Sequence, residues 1–183
     1  SIVAAMMLGA QSAWAAKKLV PGAVNIGMVI FDGLSIGEWS APFDVWTHVK
    51  GNRVNVFMIT EDGKPVTTST GVKLSAQYSF ANAPKIDVLV VPSGSGSSHR
   101  DLLNSARIKF VKDRGRKAKW VTSFCGGAFT LGRAGLLRGK KATTYPGYMK
   151  QMSDMFPDTT VDRQSRFMVD GNVVTTQGGI AAF

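Results

Sequence analysis

Only one cysteine, Cys125, and two histidines occur among the 183 residues. A single thiol excludes an intrachain disulfide, and so few soft ligands argue against a structural zinc site. No apolar run reaches the roughly 20 residues that a membrane-spanning helix needs. Acids are scarce as well, 12 against 22 lysines and arginines, for a formal net charge of +10. The basic residues come with no base-stacking aromatic array and no recognition motif, so nucleic acid is not implied as a partner. Seven of them fall between Arg107 and Lys119 with one acid, Asp113. Ile108, Phe110 and Val111 are interleaved there, which predicts an amphipathic helix with a solvated basic face. Charged residues make up 19% of the chain and hydrophobic ones 44%. That composition is globular, and the length suits one domain with a substantial core.

The ends read differently from the middle. Ile2 to Ala10 is apolar, Ala13-Trp14-Ala15 fits a small-x-small cleavage pattern, and Lys17-Lys18 follows. Residues 1–16 read as part of a secretory signal peptide, with residues 17–183 as a single mature domain, periplasmic or secreted. The alternative is an apolar N-terminal helix on a cytoplasmic protein. The final Gly178-Gly179-Ile180-Ala181-Ala182-Phe183 reads as a helix start cut short, an expected C-terminal truncation.

Between these ends, strand and helix patterns alternate. β runs are expected over Asn25–Phe31, Val54–Thr60, Ile86–Val91, Trp120–Phe124 and Lys140–Tyr145. Helical spacing marks Ile36–Lys50, Asp101–Lys119, Ala128–Leu137 and Pro146–Met155, and hairpins are expected within Lys64–Phe80 and Phe167–Thr176. This alternation predicts an α/β domain, mostly parallel in its central sheet, with helices on both faces. Ligands of such sheets bind beyond the carboxyl ends of the strands. Phe31-Asp32-Gly33, Pro92-Ser93-Gly94 and Cys125-Gly126 are three such ends and are expected to converge.

Cys125 closes a strand and is followed by Gly126-Gly127 and a helix, the outline of a nucleophile elbow. The glycines are expected to let the chain bend and a substrate approach. A thiol at a helix N-terminus is expected to favour the thiolate. The other reading of a lone cysteine is a buried apolar side chain that only packs.

Several segments together resemble the ThiJ/PfpI family of the class I glutamine amidotransferase-like superfamily. They are Val29-Ile30-Phe31-Asp32-Gly33, Glu38, Ala41-Pro42-Phe43-Asp44-Val45-Trp46, Val90-Val91-Pro92-Ser93-Gly94, Phe124-Cys125-Gly126-Gly127-Ala128, and Gly135 through Thr144. The likeness is nearest to the isonitrile hydratase branch and to the sensor domains of AraC-like regulators. It implies a flavodoxin-like three-layer sandwich, a homodimer, a small-molecule substrate and no cofactor or metal. It also implies Cys125 as nucleophile and Glu38 as the acid beside it, with the backbone N–H groups of Gly94 and Gly126 as oxyanion donors. Burial against Trp39 and a neighbouring thiolate would raise the Glu38 pKa. Ser35-x-x-Glu38 equally fits a helix capping box.

The family usually has Pro-Gly-Gly at Pro92-Ser93-Gly94, so Ser93 is a departure that is tolerable only without a positive φ. The Ser95-Gly96-Ser97-Ser98 stretch lacks the lysine of a phosphate-binding loop. Protease-like relatives carry histidine directly after the cysteine, where this chain has Gly126, so peptidase activity is the least favoured enzyme reading. Regulator relatives often carry histidine where Tyr145 stands. Tyr145 is expected to face the pocket or pack in the core, and His99 to lie near the cleft mouth. His48 is expected as a partly buried structural residue and Asp44 as a surface or structural one. The functional expectation is a cysteine-dependent lyase, hydratase or hydrolase that hydrates a small electrophilic carbon, either isonitrile hydratase-like or glyoxalase-like. The alternatives are a non-catalytic small-ligand sensing domain and a cysteine redox sensor.

Overall fold

In the computed structural model of the chain, the described residues are 18–94 and 104–179. His99, the signal-like segment and the final Ile180–Phe183 lie outside them. Among the described residues, no helix is long and apolar enough to cross a membrane.

Strand β1 (Val24–Val29) leads to helix α1 (Ile36–Thr47), then β2 (Val54–Thr60). A small hairpin of β3 (Val66–Thr67) and β4 (Lys73–Leu74) precedes β5 (Tyr78–Ser79) and β6 (Val88–Val91). Helix α2 (Ser105–Gly115), β7 (Trp120–Phe124) and α3 (Gly127–Arg133) follow. The chain continues through β8 (Lys141–Ala142), a 3₁₀ turn (Pro146–Tyr148), α4 (Met149–Met155) and β9 (Thr160–Val161). It closes with β10 (Phe167–Asp170) and β11 (Val173–Thr176).

The main sheet has seven strands in the order β10-β11-β7-β6-β1-β2-β5. Every neighbouring pair is parallel except the β10–β11 hairpin. The strand period of two sorts the residues into two layers. Ile26 and Met28 of β1, with Val88 and Val90 of β6, face Trp39, Phe43 and Trp46 of α1. The alternate residues Val29, Leu89 and Val91 face Phe110 and Val111 of α2, Phe129 and Leu131 of α3, and Met152 of α4. Each large apolar side chain buried this way contributes about 1.5–3 kcal/mol. This is the α/β layering expected from the alternation, in the flavodoxin-like form that the resemblance implies.

The chain runs outward from β1 to β2 and β5, then crosses back to β6 on the other side of β1. That reversal opens a crevice at the carboxyl ends of β1 and β6. α1 begins on one side of it and β7 ends close by, so the topology delivers three loop segments to one place.

The expected basic face of α2 is only partly solvated. Lys109, Lys112 and Asp113 are exposed, but Arg107 is just 4% exposed. Its guanidinium lies 4.0 Å over the Phe31 ring, where the flat cation and the ring face attract. His48 departs from expectation too. Its side chain is 76% exposed at the C-cap of α1, with Nδ1 2.8 Å from the Asp44 carbonyl, because α1 ends there.

Candidate active site

Cys125 follows β7 with φ of +54°, one of two described non-glycine residues in the left-handed region. A side chain there costs about 1–2 kcal/mol through contact between Cβ and backbone. The surroundings hold it in place. Cys125 N–H donates to the Thr176 carbonyl at 3.0 Å, and the Thr144 hydroxyl donates to the Cys125 carbonyl at 2.8 Å. The cysteine therefore makes the bend, a correction to the expectation that the glycines do. Gly126 has an ordinary helical φ of −65°. Gly127 is needed for space instead, since a Cβ there would lie 2.1 Å from the Val91 carbonyl oxygen of β6.

The three strand ends meet as expected. Leu34 pairs with Gly94 in an isolated antiparallel bridge, and Ser35 N–H donates to the Ser93 carbonyl at 3.0 Å. The Ser93 side chain hydrogen-bonds the Cys125 sulfur, as does the Gly126 N–H. Ser93 is absent from the positive-φ residues, so serine is tolerated where relatives have glycine. Gly94 is required for close approach, because a Cβ would sit 2.6 Å from the Phe31 ring and 2.8 Å from the Gly33 carbonyl oxygen.

Glu38 lies in the first turn of α1 and is 8% exposed. The capping-box alternative does not form. Ser35 makes no side-chain cap, and the Glu38 carboxylate turns inward, where Oε1 accepts the Gly179 N–H at 2.9 Å. Burial pushes the Glu38 pKa up, and the Gly179 hydrogen bond opposes that.

The thiol is pushed up as well, first by burial and then by the negative charge of Glu38. The bonds from Gly126 and Ser93 act the other way but do not prevail. This corrects the expectation of a thiolate favoured by its helix. Burial of the sulfur and the carboxylate beside it are the causes, in that order.

A single point shows how close the two groups are. A Cβ built on Gly178 would lie 2.4 Å from Cys125 Cβ, 2.7 Å from Glu38 Oε1 and 2.8 Å from Oε2. Cys125 and Glu38 thus flank the same glycine.

Other expected residues fall elsewhere or were overlooked. Tyr145 is 48% exposed and packs its ring against Tyr148 at 5.3 Å, so it is not a core residue. Gly178, Gly179 and the hydroxyl of Thr144 are site residues that sequence reasoning missed. The Gly-Gly pair was legible only as a turn signal, and Thr144 only as part of a motif. A cleft of about 480 Å³ opens beside the site. Phe31, Asp32, Thr60, Glu61, Asn104 and Arg107 are among its walls, and Cys125 is not. Phe31 is the partition, since its ring also abuts Gly94.

Known proteins share the sequence pattern and the fold. Residues 24–183 match the DJ-1/PfpI family. The chain belongs to this family. It is 34% identical over 161 residues to an isonitrile hydratase of Pseudomonas putida, covering 87% of this chain and 67% of that protein. It is 24% identical over 161 residues to the HTH-type transcriptional regulator GbdR of Pseudomonas aeruginosa, covering 86% of this chain and 43% of the regulator. Among solved structures, a ThiJ/PfpI family protein from Pseudomonas syringae superposes with a TM-score of 0.79 at 26% identity, covering 88% of this chain and 65% of that one. The DJ-1/PfpI family thus includes enzymes and regulators alike.

Proposed function

We propose that the chain is a cysteine-dependent enzyme that adds water to a small electrophilic carbon, with an isonitrile as the favoured substrate class. One observation carries the reading: Cys125, strained at the end of β7, and the buried carboxyl of Glu38 flank Gly178 together. The similarity to an isonitrile hydratase supports the choice of substrate.

In this mechanism the Cys125 sulfur bonds to the isonitrile carbon as its proton passes through Glu38 to that same carbon. The product is a thioimidate. Water then adds across its C=N bond, the C–S bond breaks, and the sulfur regains a proton as the N-substituted formamide leaves. A carboxyl whose pKa is raised by burial is suited to moving that proton. On this reading the N–H groups of Gly94 and Gly126 would act as the oxyanion donors for charge that develops during addition.

The test is turnover of a simple alkyl isonitrile, with methylglyoxal as the competing substrate. Cys125→Ala should lose roughly 10⁴-fold or more in kcat, as loss of a nucleophile does. Glu38→Gln should lose about 10²- to 10⁴-fold. Unchanged turnover in both variants would end the proposal. Methylglyoxal turnover without isonitrile turnover would move the reading to the glyoxalase-like class.

A second reading is a small-ligand sensing domain, favoured by the similarity to a transcriptional regulator. Saturable binding of an isonitrile with no turnover, unaltered in Cys125→Ala, would select it.

A further inference from the structure

The two ends of the main sheet differ in charge. Its strands all run the same way except β10, so their amino ends lie together, opposite the end that carries Cys125. Acids gather at the carboxyl end. Asp32 follows β1, Glu38 opens α1, and Glu61 and Asp62 follow β2.

The amino end is basic. Lys50 and Arg53 precede β2, Lys85 precedes β6, and Arg116, Lys117 and Lys119 precede β7; all are exposed. Backbone bonds hold these strand starts side by side. Val24 N–H donates to the Arg53 carbonyl at 2.9 Å, Asp87 N–H to the Asn25 carbonyl at 2.8 Å, and Trp120 N–H to the Asp87 carbonyl at 3.0 Å. The cations therefore share one surface.

Acids close to that surface are already engaged. Asp87 pairs with Lys85 at 3.1 Å and Lys119 at 3.7 Å, Asp170 with Lys140 at 3.8 Å, and Asp113 with Lys109. Asp44 lies 3.5 Å from His48 Nδ1. Lys50, Arg53, Arg116 and Lys117 enter no ion pair among the described residues. Large apolar side chains stand among them: Trp120 is 44% exposed, Val24 39% and Val49 37%. A merely solvated basic face has no use for these. An exposed tryptophan among lysines and arginines suits a lipid headgroup layer, where the ring sits at the polar boundary and the cations meet phosphates. Duplex nucleic acid would engage the cations through its phosphates and leave the valines in water.

We propose that the amino end of the sheet is a docking face for a bilayer that contains anionic phospholipid. The contact is peripheral, made by side chains at the strand starts. It holds the Cys125 end away from the bilayer and open to water. The proposal is independent of the chemistry assigned to Cys125.

The test is co-sedimentation of the whole chain with vesicles of phosphatidylcholine alone, or with about one-third phosphatidylglycerol. Binding is expected to the anionic vesicles only, and it should fall as salt rises. Arg116→Gln combined with Lys117→Gln should weaken it about 25-fold, roughly fivefold for each charge lost. Trp120→Ala should weaken it about tenfold. Lys64→Gln combined with Lys73→Gln is the control. It removes the same charge from exposed positions at the carboxyl end and should change binding by less than about twofold.

No binding to anionic vesicles, or equal binding to phosphatidylcholine alone, overturns the proposal. Equal losses from the two double variants do so too, since net charge alone would then be acting. Duplex DNA is the rival polyanion. If it binds as tightly as the vesicles and Trp120→Ala weakens neither, the face belongs to nucleic acid and the proposal fails. Orientation has its own readout: iodoacetamide should alkylate Cys125 at the same rate on anionic vesicles as in solution. Protection of the thiol would put the opposite end of the sheet on the bilayer and overturn the proposal.

Discussion

Glu38 and Gly179 stand 141 positions apart in the chain, and the backbone N–H of one is 2.9 Å from the carboxyl of the other. The bond joins the first turn of α1 to the segment that leaves β11. It draws a buried acid toward the sulfur and away from its own helix N-terminus.

The strain at Cys125 has a measurable signature. A φ of +54° suits glycine and penalises any Cβ. Cys125→Gly should therefore be more stable than Cys125→Ala by roughly 1 kcal/mol, although both lack the thiol. Urea unfolding of the two variants measures the difference. Equal stability would mean that the elbow stores no strain.

Glu38 should make stability depend on pH with a definite sign. Its folded pKa lies above its unfolded one, so the protonated form is favoured in the fold. The stabilisation is complete below the ordinary glutamate value of about 4.3 and is lost as pH rises through the raised folded value. Glu38→Gln should then melt higher than the unsubstituted chain at pH 7, and the gap should close toward pH 4. A gap that widens on acidification would contradict the assignment.

Two glycine-to-alanine changes should differ in sign. Gly127→Ala places a Cβ 2.1 Å from the Val91 carbonyl oxygen, a backbone atom that cannot swing aside. It should cost about 3 kcal/mol or more, or prevent folding, by forcing α3 off β6. Gly37 is exposed in the first turn of α1 with nothing within 4 Å of a new Cβ. Gly37→Ala should stabilise by about 0.5–1 kcal/mol. Thermal melts of both variants decide the matter.

Thr144→Val tests the support beneath the elbow. Valine fills the same buried volume but cannot donate to the Cys125 carbonyl, now bonded at 2.8 Å. The carbonyl then keeps only the long bond from the Ala128 N–H at 3.5 Å, so the change should cost about 1 kcal/mol. Denaturant unfolding reads the loss. A Thr144→Ser variant, which keeps the hydroxyl, should recover most of it.

The residue pattern carried much of the architecture. Val54–Thr60, Trp120–Phe124 and the hairpin strands Phe167–Asp170 and Val173–Thr176 stand where their β-branched runs and turn residues put them. Helices ran shorter than their apolar spacing suggested. α1 stops at Thr47, because Val49 has no sheet to cover and is 37% exposed. Periodicity reports which side chains want burial, and only packing decides how far a helix can satisfy them.

The site divides in the same way. Local sequence was enough to mark Cys125: a strand ending in cysteine, then two glycines and a helix, has few other uses. Local signals were ambiguous for Glu38, because Ser35-x-x-Glu38 is also a capping box, and they were silent about which atom Gly179 would bond. They misjudged the thiol as well, since the pull of a helix terminus is visible in sequence while the penalty of burial is not. Strand order settled these points by bringing the ends of β1, β6, β7 and β11 to one edge, where desolvation and a carboxylate outweigh the hydrogen bonds to the sulfur. Residue chemistry along the chain marked the cysteine proposed as nucleophile, and long-range packing alone chose its environment, because solvent exclusion and charge proximity are properties of neighbours in space.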